Sequence, residues 1–349
     1  MAEAIRVGIL GGGWPGKAHA KAYQAAGGFK LTAVSDLIPA RRQQMMSEFS
    51  IAGEFADAND LLADKNIDAV SICLPAYLHA PIAIAALKSG KHVICEKPPG
   101  ISLKEAKQIE AAATRAQKIV LYAMQRRFGG NEQAARQAIA KGYIGTPYHA
   151  RAAWTRTRGI PVGTGWYTEA SKSGGGAMID IGLPMLDVAW QLLGQPAPAS
   201  VFAVSHRRLA SNQLKEIISP EIISNVEDSS FAIIRFENGT SLELASSWAL
   251  NQPPSQNGAN CRIYGELGAV DVYTGAGAVV HRDFNDKGDS KESPLKPPKT
   301  IGHIALMKHF RECITQNTPA MIGSKEGVVL MQMIDGIYRS SESGKSVNV

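Results

Sequence analysis

The sequence predicts an α/β protein in two parts, an N-terminal half built on a parallel sheet and a C-terminal α+β half. Three observations predict this fold class. Up to residue 124, short apolar strands alternate with helices of about ten residues, which is typical of a parallel sheet covered by helices. A glycine-rich turn directly follows the first strand. Beyond residue 125 the alternation gives way to strands joined by turn signals.

Length and composition limit the class of protein. The 349 residues suffice for roughly two domains, and 45% hydrophobic against 19% charged residues indicates an ordinary globular chain. The net charge of +6 comes from scattered basic residues, which form no nucleic-acid stripe. The four cysteines lack metal-ligand spacing, so we expect reduced core thiols and no metal site. Neither a leader nor a membrane-length apolar run is seen, so we expect a cytoplasmic protein.

The glycine-rich turn at residues 11–16 lies between a predicted strand at residues 5–10 and an alanine-rich helix. Its G-x-G-x-x-G spacing lets a pyrophosphate approach a helix N-terminus, although a glycine turn without a ligand would have the same sequence. The next predicted strand, residues 31–35, ends on Asp36, 20 residues after the turn. An acid there accepts both hydroxyls of an adenosine ribose and opposes a 2′-phosphate, so we expect NAD rather than NADP.

The alternation continues to residue 124. Further helices are predicted at residues 39–49, 80–89 and 102–116, and further strands at residues 68–74, from about 93, and 119–123. The strand near residue 93 ends abruptly in Glu96, Lys97 and two prolines. Because ligands of open α/β sheets lie beyond the carboxyl ends of the strands, Lys97 is expected to face a ligand. The alternative is an exposed ion pair of Glu96 and Lys97 on a turn.

The C-terminal half follows a different pattern. Helices are predicted at residues 131–141, up to about 193, 304–316 and 325–343, and strands at residues 146–154, 228–236, 240–248, 261–264 and 269–273. Two of the strands flank Glu237-Asn238-Gly239, a strong hairpin signal. A long polar segment reaches residue 176, and loops of that length tend to be functional. We expect a second, mobile loop at residues 285–300. The predicted domains are residues 1–124, which bind the nucleotide, and residues 125–349.

Five motifs are spread over nearly the whole chain. They are the glycine turn with His19, Pro75-x-x-x-His79, the run from Gly90 to Glu96-Lys97-Pro98, Arg126-Arg127-Phe128, and Gly174-Gly175-Gly176-x-x-x-Asp180-x-Gly182. Together they resemble the Gfo/Idh/MocA oxidoreductases, the relatives of glucose-fructose oxidoreductase and inositol 2-dehydrogenase. The resemblance implies a Rossmann NAD-binding domain, and a C-terminal domain whose large open, mainly antiparallel sheet mediates homodimers or homotetramers. It also implies hydride exchange between NAD and a sugar or polyol.

The resemblance also implies a role for each matching residue. The implied cofactor contacts are Gly11, Gly13, Trp14, Pro15, Gly16, Asp36, Leu74, Pro75, His79, Glu96, Lys97 and Arg126, with Arg126 on the substrate side as well. Lys97 and Asp180 are the implied catalytic pair, in which Lys97 bonds the reacting hydroxyl and Asp180 orients the substrate. These residue types suit the chemistry, since a cation stabilises an alkoxide and a base accepts the hydroxyl proton.

One position departs from the family pattern. The usual Asp-x-Gly-x-His motif is Asp180-Ile181-Gly182-Leu183-Pro184 in this chain, and proline cannot carry a proton. Proline does suit the first turn of a helix, which is predicted to follow. Lys97 is therefore the predicted proton acceptor. Tyr167 is the alternative if the long loop folds over the site.

Several further residues have two interpretations. In the long loop, Trp166 is predicted to stack on a sugar and Arg158 to donate to its hydroxyls, with Tyr167 beside them; packing of the loop on itself is the alternative. His79 is either a cofactor-side residue or a helix cap and packing partner. His303 and His309 are expected to be structural.

The leading functional hypothesis is an NAD-dependent dehydrogenase of a sugar, sugar derivative or cyclic polyol, acting as a homo-oligomer without nucleic-acid or membrane partners. A redox-neutral NAD-dependent glycosidase is one alternative. A non-catalytic NAD-binding sugar sensor is another, which Pro184 favours and the intact Lys97 and Asp180 oppose. Net NADH formation separates the dehydrogenase from both.

Overall fold

The computed structural model describes residues 3–161, 165–209 and 224–349. The chain forms two compact units, Met1–Gln125 with Thr300–Val328, and Arg126–Lys299 with Val329–Val349. The predicted fold class is confirmed, since one unit contains a parallel sheet and the other a mainly antiparallel one. The predicted division at residue 124 stays a prediction about functional domains. The contact-based units differ from it by grouping residues 300–328 with the N-terminal part.

The first unit is built on a six-stranded parallel sheet in the order β3-β2-β1-β4-β5-β6. The strand order changes direction between β1 and β4, where ligands bind in sheets of this kind. Its elements are β1 Ile5–Leu10, α1 Trp14–Ala26, β2 Phe29–Ser35, α2 Pro39–Phe49, β3 Gly53–Phe55, α3 Ala58–Ala63, β4 Ala69–Ile72, α4 His79–Lys88, β5 His92–Cys95, α5 Leu103–Ala116 and β6 Val120–Tyr122.

Burial and capping explain why these segments take their observed form. Strand β4 is buried throughout, as expected of a strand covered on both faces, and β5 is buried except at its first residue. Helix α5 begins at Ser102, whose hydroxyl accepts from the Glu105 amide at 3.2 Å while the Glu105 carboxylate accepts from the Ile101 amide at 2.8 Å. Ser102 and Glu105 thus cap the start of the helix predicted at residues 102–116, with the hydroxyl-to-amide bond of a capping box.

A C-terminal segment completes the first unit. Helix α9, Gly302–Gln316, packs against α1, and Arg311 donates to the Gly27 carbonyl at 3.2 Å. The carbonyl of Ile322 accepts from the Tyr122 amide at 3.0 Å, which extends the hydrogen bonding at β6. Helix α10, Ser324–Ser343, begins in this unit and ends in the second.

The second unit is built on a nine-stranded sheet in the order β14-β13-β12-β11-β7-β10-β9-β8-β15. Among the described strands, only the pair β7 and β10 is parallel, and the predicted hairpin joins β9 to β10. The elements of the second unit are α6 Gly130–Ala140, β7 Pro147–Thr155, α7 Ala170–Ser173, a π-helical turn Met178–Gly182, α8 Leu183–Leu192, β8 Pro198–His206, β9 Ser229–Phe236, β10 Ser241–Ser247, β11 Gly258–Gly265, β12 Gly268–Thr274, β13 Gly277–Arg282, β14 Lys291–Pro294 and β15 Val347–Asn348. Helix α8 packs against β7, β10 and β11.

The structure departs from the sequence-based expectations in several short elements. The segment at residues 285–300, which was expected to be a mobile loop, contains strand β14, which pairs with β13. The short elements β3, α3, β13 and β15 were not predicted, because two to six residues carry too little periodicity. Residues 162–164 of the predicted long loop lie outside the described residues. Within the described part of the chain, no helix has the length and apolar character needed to cross a membrane.

Candidate active site

The glycine turn lies at the carboxyl edge of the first sheet, directly after β1. Gly11 has φ +101°, and a Cβ there would overlap the carbonyl oxygen of Cys73. A Cβ on Gly16 would overlap the carbonyl oxygen of Gly11. A Cβ on Gly13 would instead face open space, with the Pro15 Cδ at 3.8 Å as its nearest neighbour. Gly11 and Gly16 are therefore required by the fold, while Gly13 leaves room for a ligand to approach the backbone.

Asp36 is fixed at the end of β2 beside this turn. One carboxylate oxygen accepts from the Gly12 amide and the other from the Ile38 amide, each at 2.8 Å. Arg42 donates to the Asp36 carbonyl at 2.7 Å and to Glu54 at 3.0 Å, so its guanidinium is already engaged. The Arg41 guanidinium is 3.8 Å from the Asp36 carboxylate and half exposed. The acid thus keeps its predicted place next to the glycine turn.

The residues at this edge fit an NAD molecule. Helix α1 begins after Gly13 with no side-chain cap, so amides of its first turn point to where a pyrophosphate would lie. Trp14 is 72% exposed and Pro15 occupies the first turn, where its missing N–H costs nothing. Open space at Gly13, amides at the helix start and an acid at the end of β2 match the pyrophosphate and ribose of a dinucleotide.

His79 connects two turns of the same edge. Its Nδ1 lies 2.9 Å from the Pro98 carbonyl oxygen and its Nε2 lies 2.8 Å from the Leu74 carbonyl oxygen. The ring is 1% exposed, and burial lowers the pKa of the imidazole. His79 therefore holds the Leu74-Pro75 turn after β4 against the Lys97-Pro98 turn after β5. Its predicted contact with the cofactor stays a prediction.

Glu96 lies at the end of β5 in a small polar cluster. His19 Nε2 lies 3.2 Å from the Glu96 carboxylate, and His19 Nδ1 lies 2.9 Å from the Ser71 hydroxyl. Burial by itself raises the pKa of Glu96, but the bond from His19 and the charges of His19 and Lys97 outweigh it and lower that pKa. Lys97 is half-buried, and its amide donates to the Glu96 carboxylate at 3.3 Å.

His303 extends this polar cluster from α9. Its ring centre lies 5.8 Å from that of His19, and burial lowers the pKa of His303. The ligand atoms of His19, Glu96 and His303 lie within 4.8 Å of one another, a spacing that a metal ion could bridge. His19 and Glu96 are, however, within direct hydrogen-bond distance of each other, so the pair satisfies itself without an ion.

Asp180 lies in the second unit, on the π-helical turn that precedes α8. Such wide turns are frequent at functional sites. Pro184 lies in the first turn of α8, as predicted, and lacks the N–H that would bond the Asp180 carbonyl four residues earlier. The indole Nε1 of Trp248 donates to Asp180 Oδ2 at 2.9 Å. Asp180 is half-buried and Trp248 is 1% exposed.

A buried carboxylate fixes the start of the Asp180 turn. The two oxygens of Glu227 accept from the Gly176 amide at 2.8 Å and the Met178 amide at 2.9 Å, and Tyr338 donates to Glu227 at 3.1 Å. A Cβ on Gly175 would overlap the Tyr338 hydroxyl, and one on Gly176 would overlap the Glu227 backbone. These contacts explain the glycine run before Asp180. Burial raises the pKa of Glu227.

Arg126 and the aromatic residues around it lie in the second unit. The Arg126 guanidinium lies over the Trp154 ring at 4.1 Å, and Glu132 is 3.7 Å away. Trp154 packs against the apolar cluster that contains Trp248. Arg126 and Asp180 therefore each contact an aromatic residue of the same cluster. Arg127, by contrast, is fully buried in a forked ion pair with Asp187.

The predicted sugar-binding residues of the long loop make contacts within the protein. The Trp166 and Tyr167 rings stack on each other with centres 3.8 Å apart, so each covers one face of the other. Arg158 donates to the Leu250 carbonyl at 3.4 Å and to Asn251 at 3.2 Å. These contacts agree with the packing alternative.

Sequence reasoning missed Trp248, Glu227 and Tyr338. Trp248 follows the end of β10, and its position in the pattern indicated only a half-buried strand. No local motif marks Glu227 or Tyr338, since each contacts the Asp180 turn from 49 or more residues away in sequence. The one available signal was the glycine run, because three consecutive glycines indicate that other groups approach the backbone closely.

Comparisons with known proteins cover both units. A family model described as "Oxidoreductase family, NAD-binding Rossmann fold" matches residues 5–124, and one for the GFO/IDH/MocA C-terminal domain matches residues 133–271. The chain is 32% identical to D-glucoside 3-dehydrogenase of Escherichia coli over 99% of its length and 97% of the relative. It is 26% identical to scyllo-inositol 2-dehydrogenase (NAD(+)) of Bacillus subtilis over 100% and 97%.

A solved structure shows the same fold over the whole chain. The NAD binding oxidoreductase from Klebsiella pneumoniae superposes with a TM-score of 0.86 at 23% identity, covering 99% of both chains. The expected NAD-binding Rossmann domain is thereby confirmed together with the family match to residues 5–124. The expected C-terminal domain with its mainly antiparallel sheet is confirmed as well.

Proposed function

The chain belongs to the Gfo/Idh/MocA oxidoreductase family, and we propose that it transfers hydride between NAD and a secondary alcohol of a sugar, sugar derivative or cyclic polyol. The named activities of its relatives, a glucoside 3-dehydrogenase and an inositol 2-dehydrogenase, support a substrate that carries several ring hydroxyls. The observation that carries the proposal is Lys97 in the turn after β5, at the sheet edge that also presents the glycine turn and Asp36.

The proposed mechanism assigns separate tasks to the chain's own residues. NAD, when bound, supplies the carbon that accepts the hydride. Lys97 bonds the reacting hydroxyl and takes its proton, so that the alkoxide forms beside a positive group. Glu96 keeps a negative charge next to Lys97, and His79 fixes the turn on which Lys97 lies. Asp180 accepts a hydrogen bond from a neighbouring hydroxyl and so orients the ring.

Pro184 decides the proton route in this proposal. The residue that usually transfers the proton in the family is absent here, which leaves Lys97 as the base and makes Tyr167 the competing candidate. The stack of Tyr167 on Trp166 gives the phenol a packing role and favours Lys97.

A spectrophotometric screen tests the function. Purified protein is incubated with NAD and a panel of glucosides, free sugars and inositols, and NADH is followed at 340 nm. We expect stoichiometric NADH with at least one ring polyol. Glycoside cleavage without net NADH would contradict the proposal in favour of a redox-neutral glycosidase, and sugar binding without any turnover would favour a sensor.

We further propose a homo-oligomer that forms through the second sheet. Phe202, Val204 and Ile233 are between 41% and 55% exposed on neighbouring strands β8 and β9. They border a shallow cavity of about 420 Å³ whose rim holds the Arg151–Glu243 ion pair at 2.8 Å. An apolar patch of this kind on a sheet is typical of a contact between copies. Light scattering should give a dimer or tetramer, and a 37.3 kDa species at micromolar concentration would contradict it.

A further inference from the structure

The carboxylate of Asp180 is held by a donor that cannot change its role. An indole N–H only donates, so Trp248 can bond an ionised carboxylate oxygen but cannot accept a proton from a carboxylic acid. At 2.9 Å the contact has the length of an ordinary N–H···O hydrogen bond. Oδ2 is thus kept as an acceptor, and the carboxylate plane is fixed relative to the indole.

Trp248 is itself held from several directions. Its amide donates to the Asp228 carbonyl at 2.9 Å, directly after the end of β10. Its ring packs in the apolar cluster of Ala177, Ile181 and Val226, and Ile181 follows Asp180 directly on the same turn. A ring with 1% exposure and two torsions has little freedom to move. The indole therefore fixes the Asp180 side chain relative to the end of β10.

The backbone of the turn is fixed independently of Trp248. Glu227 bonds the Gly176 and Met178 amides, and Gly182 lies so close to β10 that an added Cβ would be 3.0 Å from the Ser246 side chain. The main chain of Asp180 is thus placed by Glu227 and Gly182, while its side chain is oriented by Trp248. Loss of the indole N–H should turn the carboxylate without unfolding the turn.

We infer that Trp248 is the positioning residue of Asp180, and that its indole N–H sets the direction in which the carboxylate meets the substrate. This inference rests on the proposed function, in which Asp180 orients the sugar. No sequence motif marks Trp248. Its ring has a steric role in the apolar cluster, and its nitrogen has a separate hydrogen-bonding role at Asp180.

The test removes the N–H and keeps an aromatic ring. Trp248→Phe should lower kcat/KM by about 10- to 100-fold, the loss expected of a reacting group misplaced by up to 1 Å. The Kd for NADH should stay unchanged. Trp190→Phe is the matched control, since Trp190 is 3% exposed and donates at 2.8 Å to the Pro196 carbonyl. It should keep near-wild-type turnover.

A double substitution separates positioning from general packing. In an Asp180→Ala background, Trp248→Phe should cause no further loss, because the group on which the indole acts is gone. Equal losses from Trp248→Phe in both backgrounds would overturn the inference, as would wild-type kcat/KM in Trp248→Phe while the wild type and Trp190→Phe are active.

A spectroscopic measurement keeps the test independent of turnover. With 5-fluorotryptophan incorporated, the five tryptophans give five ¹⁹F signals that single Trp→Phe variants assign. Asp180→Ala should shift the Trp248 signal and leave that of Trp190 in place. If the wild type turns over no sugar, the proposed function fails while this shift still supports the contact. An unmoved Trp248 signal in Asp180→Ala would overturn the inference.

Discussion

The carboxyl edge of the first sheet and the Asp180 turn of the second unit are held in place by different means. At the sheet edge, the groups that fix Lys97 come from neighbouring strand ends and local turns, with the His79 ring lying between two backbone carbonyls and donating to one of them. At the Asp180 turn, three residues from distant segments, Glu227, Trp248 and Tyr338, supply the contacts. Lys97 and Asp180 both lie in contiguous motifs and can be found from sequence, whereas the distant single residues that hold the Asp180 turn cannot.

The largest effect is expected at the sheet edge, from loss of the Lys97 side chain. Lys97→Ala should lower turnover by on the order of 10² to 10⁴, the range for a positioned acid-base group. Activity of the wild type in the direction of alcohol oxidation should rise with pH through a single group. Turnover is measured at 340 nm on a substrate from the screen.

Two control variants accompany Lys97→Ala. Lys88→Ala removes the same charge from the exposed end of α4 and should leave turnover intact. Tyr167→Phe should also do little. Near-wild-type turnover of Lys97→Ala, or an equally large loss in Tyr167→Phe, would contradict Lys97 as the base.

An intermediate effect concerns cofactor choice at the same edge. We expect the wild type to bind NAD at least about tenfold more tightly than NADP, because the Asp36 carboxylate opposes a 2′-phosphate. Asp36→Asn keeps an acceptor for the Gly12 amide and removes the charge, so the ratio of the two Kd values should fall. Asp60→Asn, at an exposed position of α3, is the matched control. Equal Kd values for the two cofactors in the wild type would show that the assignment is wrong.

The smallest expected effect is a difference between the two regions in how their stability depends on pH. Burial lowers the pKa of His92 to about 4 in the folded first unit. In the unfolded chain, His92 binds a proton once the pH falls below the ordinary histidine pKa of 6.5, so acid favours unfolding. This stabilising contribution is complete above pH 6.5 and is lost as the pH falls towards 4. The raised pKa of Glu227 has the opposite sign: its contribution is present below 4.5 and is lost as the pH rises.

Hydrogen exchange resolves the two regions. Between pH 7 and pH 5, after correction for intrinsic rates, protection of amides in β4 and β5 should fall more than that of amides in β9 and β10. His92→Gln, which keeps an acceptor for the Ile119 amide, should reduce the loss in the first unit. A uniform loss over both units would contradict this expectation.

The parts of the fold found from sequence share a physical reason. Strands β1, β2, β4 and β5 were predictable because each is a short apolar run bounded by helices, and Asp36 and Lys97 because each directly follows such a strand. The helix that begins near Pro184 was predictable because proline suits a first turn. Trp248 was not, since the sequence pattern places it on a buried face but cannot say that its nitrogen meets Asp180.

The packing of α9 on α1 has a consequence for how the chain is made. The end of α9 leaves the ribosome roughly 290 residues after the end of α1, which is about 15 to 60 s at ordinary rates of synthesis. During that interval the first unit lacks the partner of α1, and the amide of Tyr122 lacks the carbonyl of Ile322. The N-terminal part of the chain thus reaches its final form only after α9 and residue 322 have been synthesised. Nascent chains stalled before residue 300 should therefore be digested by protease more readily at α1 than chains stalled after residue 328.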